Sequence, residues 1–258
     1  MEPAYFLAAA DEDARALLAA AEIGCNRPIP QCPEWSASDL VGHTGGILLW
    51  VSAVVTRGKR VSRRALESPP SDPAELRTWY LDALDTAVRV LGSKDPESET
   101  WTFSRSGDRR VDWWYRRLAV EVAVHRWDAQ QAITEDGGPP SKPLDGIIAA
   151  AGIGEFLLEF VPGLLSTMGI GDNAGTLQFE ATDTHDEWSI DLGAGEPAQH
   201  PSITAAVRGS RSNLLLWLMR SNLLLWLLSR GRSESLELRG DPLSSTIASS
   251  ALSAPMRS

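Results

Sequence analysis

Two histidines and a glutamate stand where their side chains could share one site. Leu40-Val41-Gly42-His43 supplies the first, and Glu121-Val122-Ala123-Val124-His125-Arg126-Trp127-Asp128 supplies the other two. Glu121 and His125 are four residues apart, so on a helix they share one face. Leu118 and Ala132 continue that face through Asp128 at spacings of three and four, which makes it the stripe expected to be core. A carboxylate buried there without a partner costs on the order of several kcal/mol even after relaxation, so a positive group must compensate it. Two imidazoles and one carboxylate are a common protein ligand set for a catalytic divalent metal that keeps a position open for water or substrate.

The elements that must position these residues read as helices. Ala4–Ile23 puts Leu7, Ala10, Ala14, Leu17 and Ala21 on one stripe. A turn-rich stretch from Arg27 to Trp35 leads to Ser36, a good N-cap with Asp39 in the first turn. From there Leu40, His43, Ile47, Trp50 and Val54 alternate by three and four, so His43 also lies on an inward stripe. Pro69-Pro70-Ser71-Asp72 precedes a third helix through Leu76, Trp79, Tyr80, Ala83, Ala87 and Val90, and Asp112 opens the fourth. The implied architecture is a four-helix bundle over residues 1–138, whose core is a usual place for a metal site built from facing helices.

Gly137-Gly138-Pro139-Pro140-Ser141-Lys142-Pro143 reads as a linker. Beyond it, residues 139–258 read as a smaller α+β domain, making the whole chain α+β. A helix is expected over roughly Leu144–Ser166, then short strands at Thr176–Ala181, Glu187–Leu192 and Ser202–Val207. A long Leu-rich helix follows, then a strand over Ser235–Arg239 and a final helix after Asp241-Pro242. Within the Leu-rich stretch, Arg211–Met219 recurs almost unchanged at Arg220–Leu228. A nine-residue step rotates an α-helix through about 900°, so the copies must face opposite sides. One face would then pack on the domain and leave the other for a partner, a second subunit or an interdomain surface. A tandem duplication that the fold merely tolerates is the competing explanation.

With 258 residues the chain can bury a sizeable core. The formal charge of −10 is spread evenly, and residues 1–140 and 141–258 each carry −5. With a pI near 4.9, that balance argues against a general electrostatic grip on nucleic acid or an anionic membrane. Arg220-Ser221-Asn222 interrupts the Leu runs, so neither is long enough to span a bilayer. The acidic opening Met1-Glu2-Pro3 is not the basic start of a secretory signal, and Cys25 and Cys32 are the only cysteines. Both features fit a cytoplasmic protein with reduced thiols, and a C-x6-C spacing is not a ligand pattern. Ten tryptophans are many for this length, and most are expected to be core.

On the segments Cys32–His43 and Glu121–Asp128 the chain resembles the mycothiol-dependent maleylpyruvate isomerase family, whose N-terminal domain is a DinB-like bundle. Gly154-Glu155-Phe156-Leu157 and Leu223–Arg230 resemble, more loosely, that family's small C-terminal domain. The resemblance implies that His43, Glu121 and His125 ligate a metal, typically Zn2+ but open to another divalent ion, completed by water or by the thiol of mycothiol. It further implies that Arg230 meets the substrate carboxylates, with Arg220 as a rival created by the duplication. Thr44-Gly45-Gly46 departs from the leucine usual after the ligand histidine.

Of the remaining polar residues, Asp128 either orients a ligand histidine or bonds Arg126 or nearby backbone. His185 and His200 sit in turn-like sequence and are expected to be exposed. The basic runs Lys59–Arg64 and Arg109-Arg110 are expected on solvated surface, although an anionic cofactor could use one. The leading expectation is an enzyme that uses mycothiol or another low-molecular-weight thiol on a small electrophilic, anionic substrate, as an isomerase or S-transferase. It would work as a monomer or homodimer. Two rivals stay open: a metal-dependent enzyme without any thiol, and a non-catalytic protein that binds a small molecule or partner.

Overall fold

The apolar stripes close on one another in the first of two units. The computed structural model describes residues 2–30, 32–134, 138–168, 175–193, 195–197, 203–219 and 237–240. The chain divides into Met1–Ile148 and Ala149–Ser258. In the first unit α1 (Pro3–Ile23), α2 (Ala37–Arg57), α3 (Pro73–Gly92) and α4 (Val111–Thr134) form a bundle in which α1 packs on α4 and α2 on α3 and α4. Each start has a physical cause. Ser36 and Asp39 form a reciprocal capping box at α2, with Asp39 Oδ2 accepting from Ser36 N at 2.8 Å. Asp72 accepts from the backbone N–H groups of Ala74 and Glu75 at α3, where Pro73 presets the first turn. Gly58, at φ 64°, ends α2 in the left-handed conformation.

The turn-rich stretch before α2 holds a short antiparallel pair that the prolines conceal in the sequence: β1 (Pro28–Ile29) against β2 (Cys32–Ser36). Two backbone bonds, Ala37 N to Arg27 O at 2.9 Å and Ser38 N to Cys25 O at 3.0 Å, tie it to the start of α2. Trp35 and His43 are therefore held on either side of a fixed corner.

Two close approaches depend on glycine. A Cβ at Gly45 would overlap the Trp79 ring, coming within 2.9 Å of Cη2, so α2 and α3 can pack this tightly only without one. A Cβ at Gly46 would meet nothing. The Trp79 contact accounts for Gly45; Thr44, which stands after the histidine, donates instead to the Leu40 carbonyl at 2.8 Å.

The tryptophans are mostly core, as expected. Trp50, Trp101, Trp113 and Trp114 gather with Phe103, the Trp50 and Trp114 rings lying 5.2 Å apart and nearly perpendicular. The Trp50 and Trp114 N–H groups donate to the Val61 and Trp101 carbonyls. By length and composition α2 would pass for a membrane span, as would the apolar helix from Gly146 to Gly163. In α2 most of that apolar surface is turned into the bundle.

The segment read as a linker is tied down. Arg126, with a side chain 2% exposed, donates to Asp13 Oδ1 at 3.0 Å, to Gln130 Oε1 at 2.9 Å and to the carbonyls of Lys142 and Pro143. This joins α1, α4 and the chain leaving the bundle in one buried network.

α5 (Gly146–Glu155), which begins just before the second unit, runs through a π turn at Phe156–Phe160 into α6 (Val161–Met168). Pro162 cannot donate to the carbonyl four residues back and crowds it, and the widened turn absorbs the mismatch. β3 (Thr176–Ala181), β4 (Glu187–Asp191), β5 (Glu196–Pro197), β6 (Ile203–Gly209) and β7 (Glu237–Gly240) form a sheet of order β5-β4-β3-β6-β7, antiparallel except for β3 with β6. The chain is thus α+β. The first Leu-rich copy forms α7 (Arg211–Met219), and Leu214 to Leu218 are all buried, none above 5% exposure. Five consecutive buried residues cover every side of a helix, so this copy leaves no open apolar face. The second copy, Arg220, Arg230, the expected final helix and His200 lie outside the described residues.

Removing one partner of the Asp13–Arg126 pair strands a buried charge. Arg126→Ala is expected to cost about 3–5 kcal/mol in urea unfolding; a loss below about 1 kcal/mol would show that the network contributes no net stability.

Candidate metal centre

α2 and α4 bring His43, Glu121 and His125 together. One ligand atom from each lies within 4.8 Å of the others. His125 Nε2 is 3.4 Å from Glu121 Oε1, and His43 Nε2 is 3.6 Å from the same oxygen. The two imidazoles meet edge to face, with ring centres 5.1 Å apart. These separations exceed an ordinary N–H···O bond. The two nitrogen-to-oxygen separations match instead the edge of a tetrahedron around an ion with bonds of about 2.0–2.1 Å, which is about 3.4 Å. The donor set fits a divalent metal in chemistry and in spacing.

Sequence reasoning required a positive partner for Glu121, and the structure supplies one that was missed. Arg117, one turn earlier on α4, pairs with Glu121 Oε2, leaving Oε1 to face the imidazoles. The signal was present in the stripe, because Arg117 precedes Glu121 by four residues just as Glu121 precedes His125. Asp128 completes the row, with Oδ2 3.3 Å from His125 Nδ1. A carboxylate accepting from Nδ1–H leaves Nε2 of a neutral ring with a lone pair directed at the site. Of the alternatives for Asp128, the structure places it on the histidine. On α2, the Trp35 ring lies against His43 with centres 4.8 Å apart.

The electrostatics follow from this row of alternating charges. Burial disfavours the ionised Glu121, yet Arg117 and then the two imidazoles hold its carboxyl well below the usual carboxylate range. Burial likewise disfavours the His125 cation, but Asp128 and Glu121 outweigh it and raise the imidazole to about 9. Burial, helped by Asp128 and Glu34, pushes the Cys32 thiol up. Cys25 and Cys32 are both free, and His185 is exposed in its turn.

His43 opens onto a cavity of about 890 Å³ whose wall includes Trp35, Gly46, Arg63, Arg64, Glu34 and Glu67, roomy for a small-molecule site. Part of the basic run Lys59–Arg64 therefore faces this cavity, with Arg63 also stacked 4.5 Å over the Trp50 ring. The second basic run behaves as surface: Arg110 pairs with Asp108 and Glu97.

A pH dependence follows for the metal-free protein. His125 is raised from 6.5 to about 9, so its contribution to stability is fully present below about pH 6.5 and is lost as pH rises through 9. Glu121 is depressed from 4.5, so its contribution is present above that value and is lost as pH falls through the lower folded one. Urea unfolding is expected to show roughly 1–3 kcal/mol lost between about pH 6.5 and pH 10, and His125→Gln to remove that loss. Equal stability at both ends in the wild-type protein would contradict the ion row.

Residues 7–130 match the family model described as the mycothiol maleylpyruvate isomerase N-terminal domain. No curated protein matches the chain in sequence. Two crystal structures resemble the fold. One is a histidine-to-alanine mutant of the mycothiol-dependent maleylpyruvate isomerase, with TM-score 0.61 and 12% identity. The other is that isomerase itself, with TM-score 0.59 and 13% identity. Each likeness covers 92% of this chain and 93% of the other. Residues 7–130, which hold the bundle and all three candidate ligands, thus form a domain of the mycothiol maleylpyruvate isomerase N-terminal type.

Proposed function

We propose that this protein is a metal-dependent, mycothiol-using isomerase or S-transferase acting on a small electrophilic, anionic substrate in the cytoplasm. The observation that carries the reading is the convergence of His43 Nε2, His125 Nε2 and Glu121 Oε1, within a bundle of that domain type. His43, Glu121 and His125 would hold a divalent ion, zinc by the nature of the donors. Bound there, such an ion would lower the pKa of a coordinated thiol and so supply a thiolate near neutral pH.

The chain's own residues have separable tasks. Glu121 and the histidines would hold the ion, while Asp128 holds the His125 ring in one orientation. Trp35 walls one side of His43. The 890 Å³ cavity on the His43 side would receive the bulk of the thiol or of the substrate. A thiolate held there would supply a nucleophile for an electrophilic double bond of the substrate, chemistry that serves an isomerase or an S-transferase alike. Arg230, outside the described residues, is the proposed bidentate anchor for a substrate carboxylate.

Metal analysis of the purified protein is expected to find close to one equivalent of zinc, lost in His125→Ala. Arg230→Ala is expected to keep the metal and lose most mycothiol-dependent turnover of maleylpyruvate, used as the probe substrate. Unchanged metal in His125→Ala would overturn the ligand assignment. Full activity in Arg230→Ala would leave that arginine only a stabilising charge near a helix end, a contribution of roughly 0.3–1 kcal/mol.

A further inference from the structure

The row on α4 contains one residue that the proposed chemistry does not use. Arg117 is buried with its partner, the two side chains being 14% and 11% exposed. The pair has the arginine N-terminal to the glutamate, the less favourable order for an isolated helix, so helix preference does not account for it. Its geometry divides the carboxylate. Oε2 is taken by the guanidinium, and Oε1 alone faces His43 and His125.

We infer that Arg117 is a positioning residue that makes Glu121 a one-oxygen ligand. The inference rests on the metal reading given above. For both carboxylate oxygens to reach an ion, a buried charge-assisted pair would have to break, leaving the guanidinium without its counter-charge. Arg117 therefore keeps the coordination number low and preserves an open position. It also drains negative charge from Glu121, so a bound ion retains more of its own charge and polarises a thiol or water more strongly. A guanidinium beside the ligand carboxylate would weaken metal binding if the site existed only to hold an ion. The arrangement suits a site that activates a ligand.

Cobalt(II) reports coordination number directly, because four-coordinate cobalt absorbs visible light several-fold more strongly than five- or six-coordinate cobalt. The wild-type protein loaded with cobalt is expected to show the strong bands, and Arg117→Lys, which keeps the positive charge, to retain them. Arg117→Gln is expected to lose several-fold in visible absorption as Glu121 swings to two-oxygen ligation, with cobalt still taken up. Strong bands unchanged in Arg117→Gln would overturn the inference while leaving the metal site intact. Failure of the wild-type protein to take up cobalt would overturn the metal reading and this inference together. A second measurement needs no variant: in the zinc-minus-metal-free infrared difference spectrum, one-oxygen ligation widens the gap between the two carboxylate stretches. A narrowed gap would overturn the role assigned to Arg117.

Discussion

The ionised Glu121 inside the bundle is the constraint on which the rest of the structure depends. With the residue 9% exposed, its charge is costly unless several groups meet it at once. Arg117 meets one oxygen and the two imidazoles face the other. That requirement fixes the rotation of α4 about its axis, because Arg117, Glu121, His125 and Asp128 must lie on one stripe. It also fixes the approach of α2, because His43 reaches Oε1 only where the helices come close. The absence of a side chain at Gly45, which lets the Trp79 ring of α3 press against α2, belongs to the same packing.

Around that charge the fold separates stability from chemistry. One buried pair, Asp13 with Arg126, binds α1 to α4 and to the departing chain. The other charged row keeps polar atoms directed at a common point, at spacings too long for good hydrogen bonds and suited to an ion between them. Adjacent residues of α4, His125 and Arg126, thus serve different ends because a helix turns them about 100° apart.

Much of this was legible in the sequence, for a local reason. Apolar residues at spacings of three and four marked the bundle helices, and ligand residues on those same stripes marked the site, because helix geometry converts spacing into direction. The strand at Thr176–Ala181 was legible from a weak alternation of apolar and polar residues. What escaped depended on contacts between distant segments or on ambiguous local chemistry. The Pro28–Ser36 pair is hidden by prolines that argue against strands. The linker-like glycines and prolines gave no hint that Arg126 would capture the carbonyls of Lys142 and Pro143. Arg117 lay on the right stripe, but an arginine there reads equally as a solvated neighbour of Glu121. Of the two Leu-rich copies, expected to face opposite sides with one packed on the domain, the first is packed through Leu214 to Leu218, and the second lies outside the described residues.

The central claim is that one ion sits between these two helices. Its most direct test is anomalous X-ray scattering at the zinc edge from crystals grown with zinc. The account predicts a single strong peak bounded by His43 Nε2, His125 Nε2 and Glu121 Oε1, with Glu121 Oε2 still paired to Arg117. A peak elsewhere on the chain, or none between these three atoms in zinc-containing crystals, would contradict it.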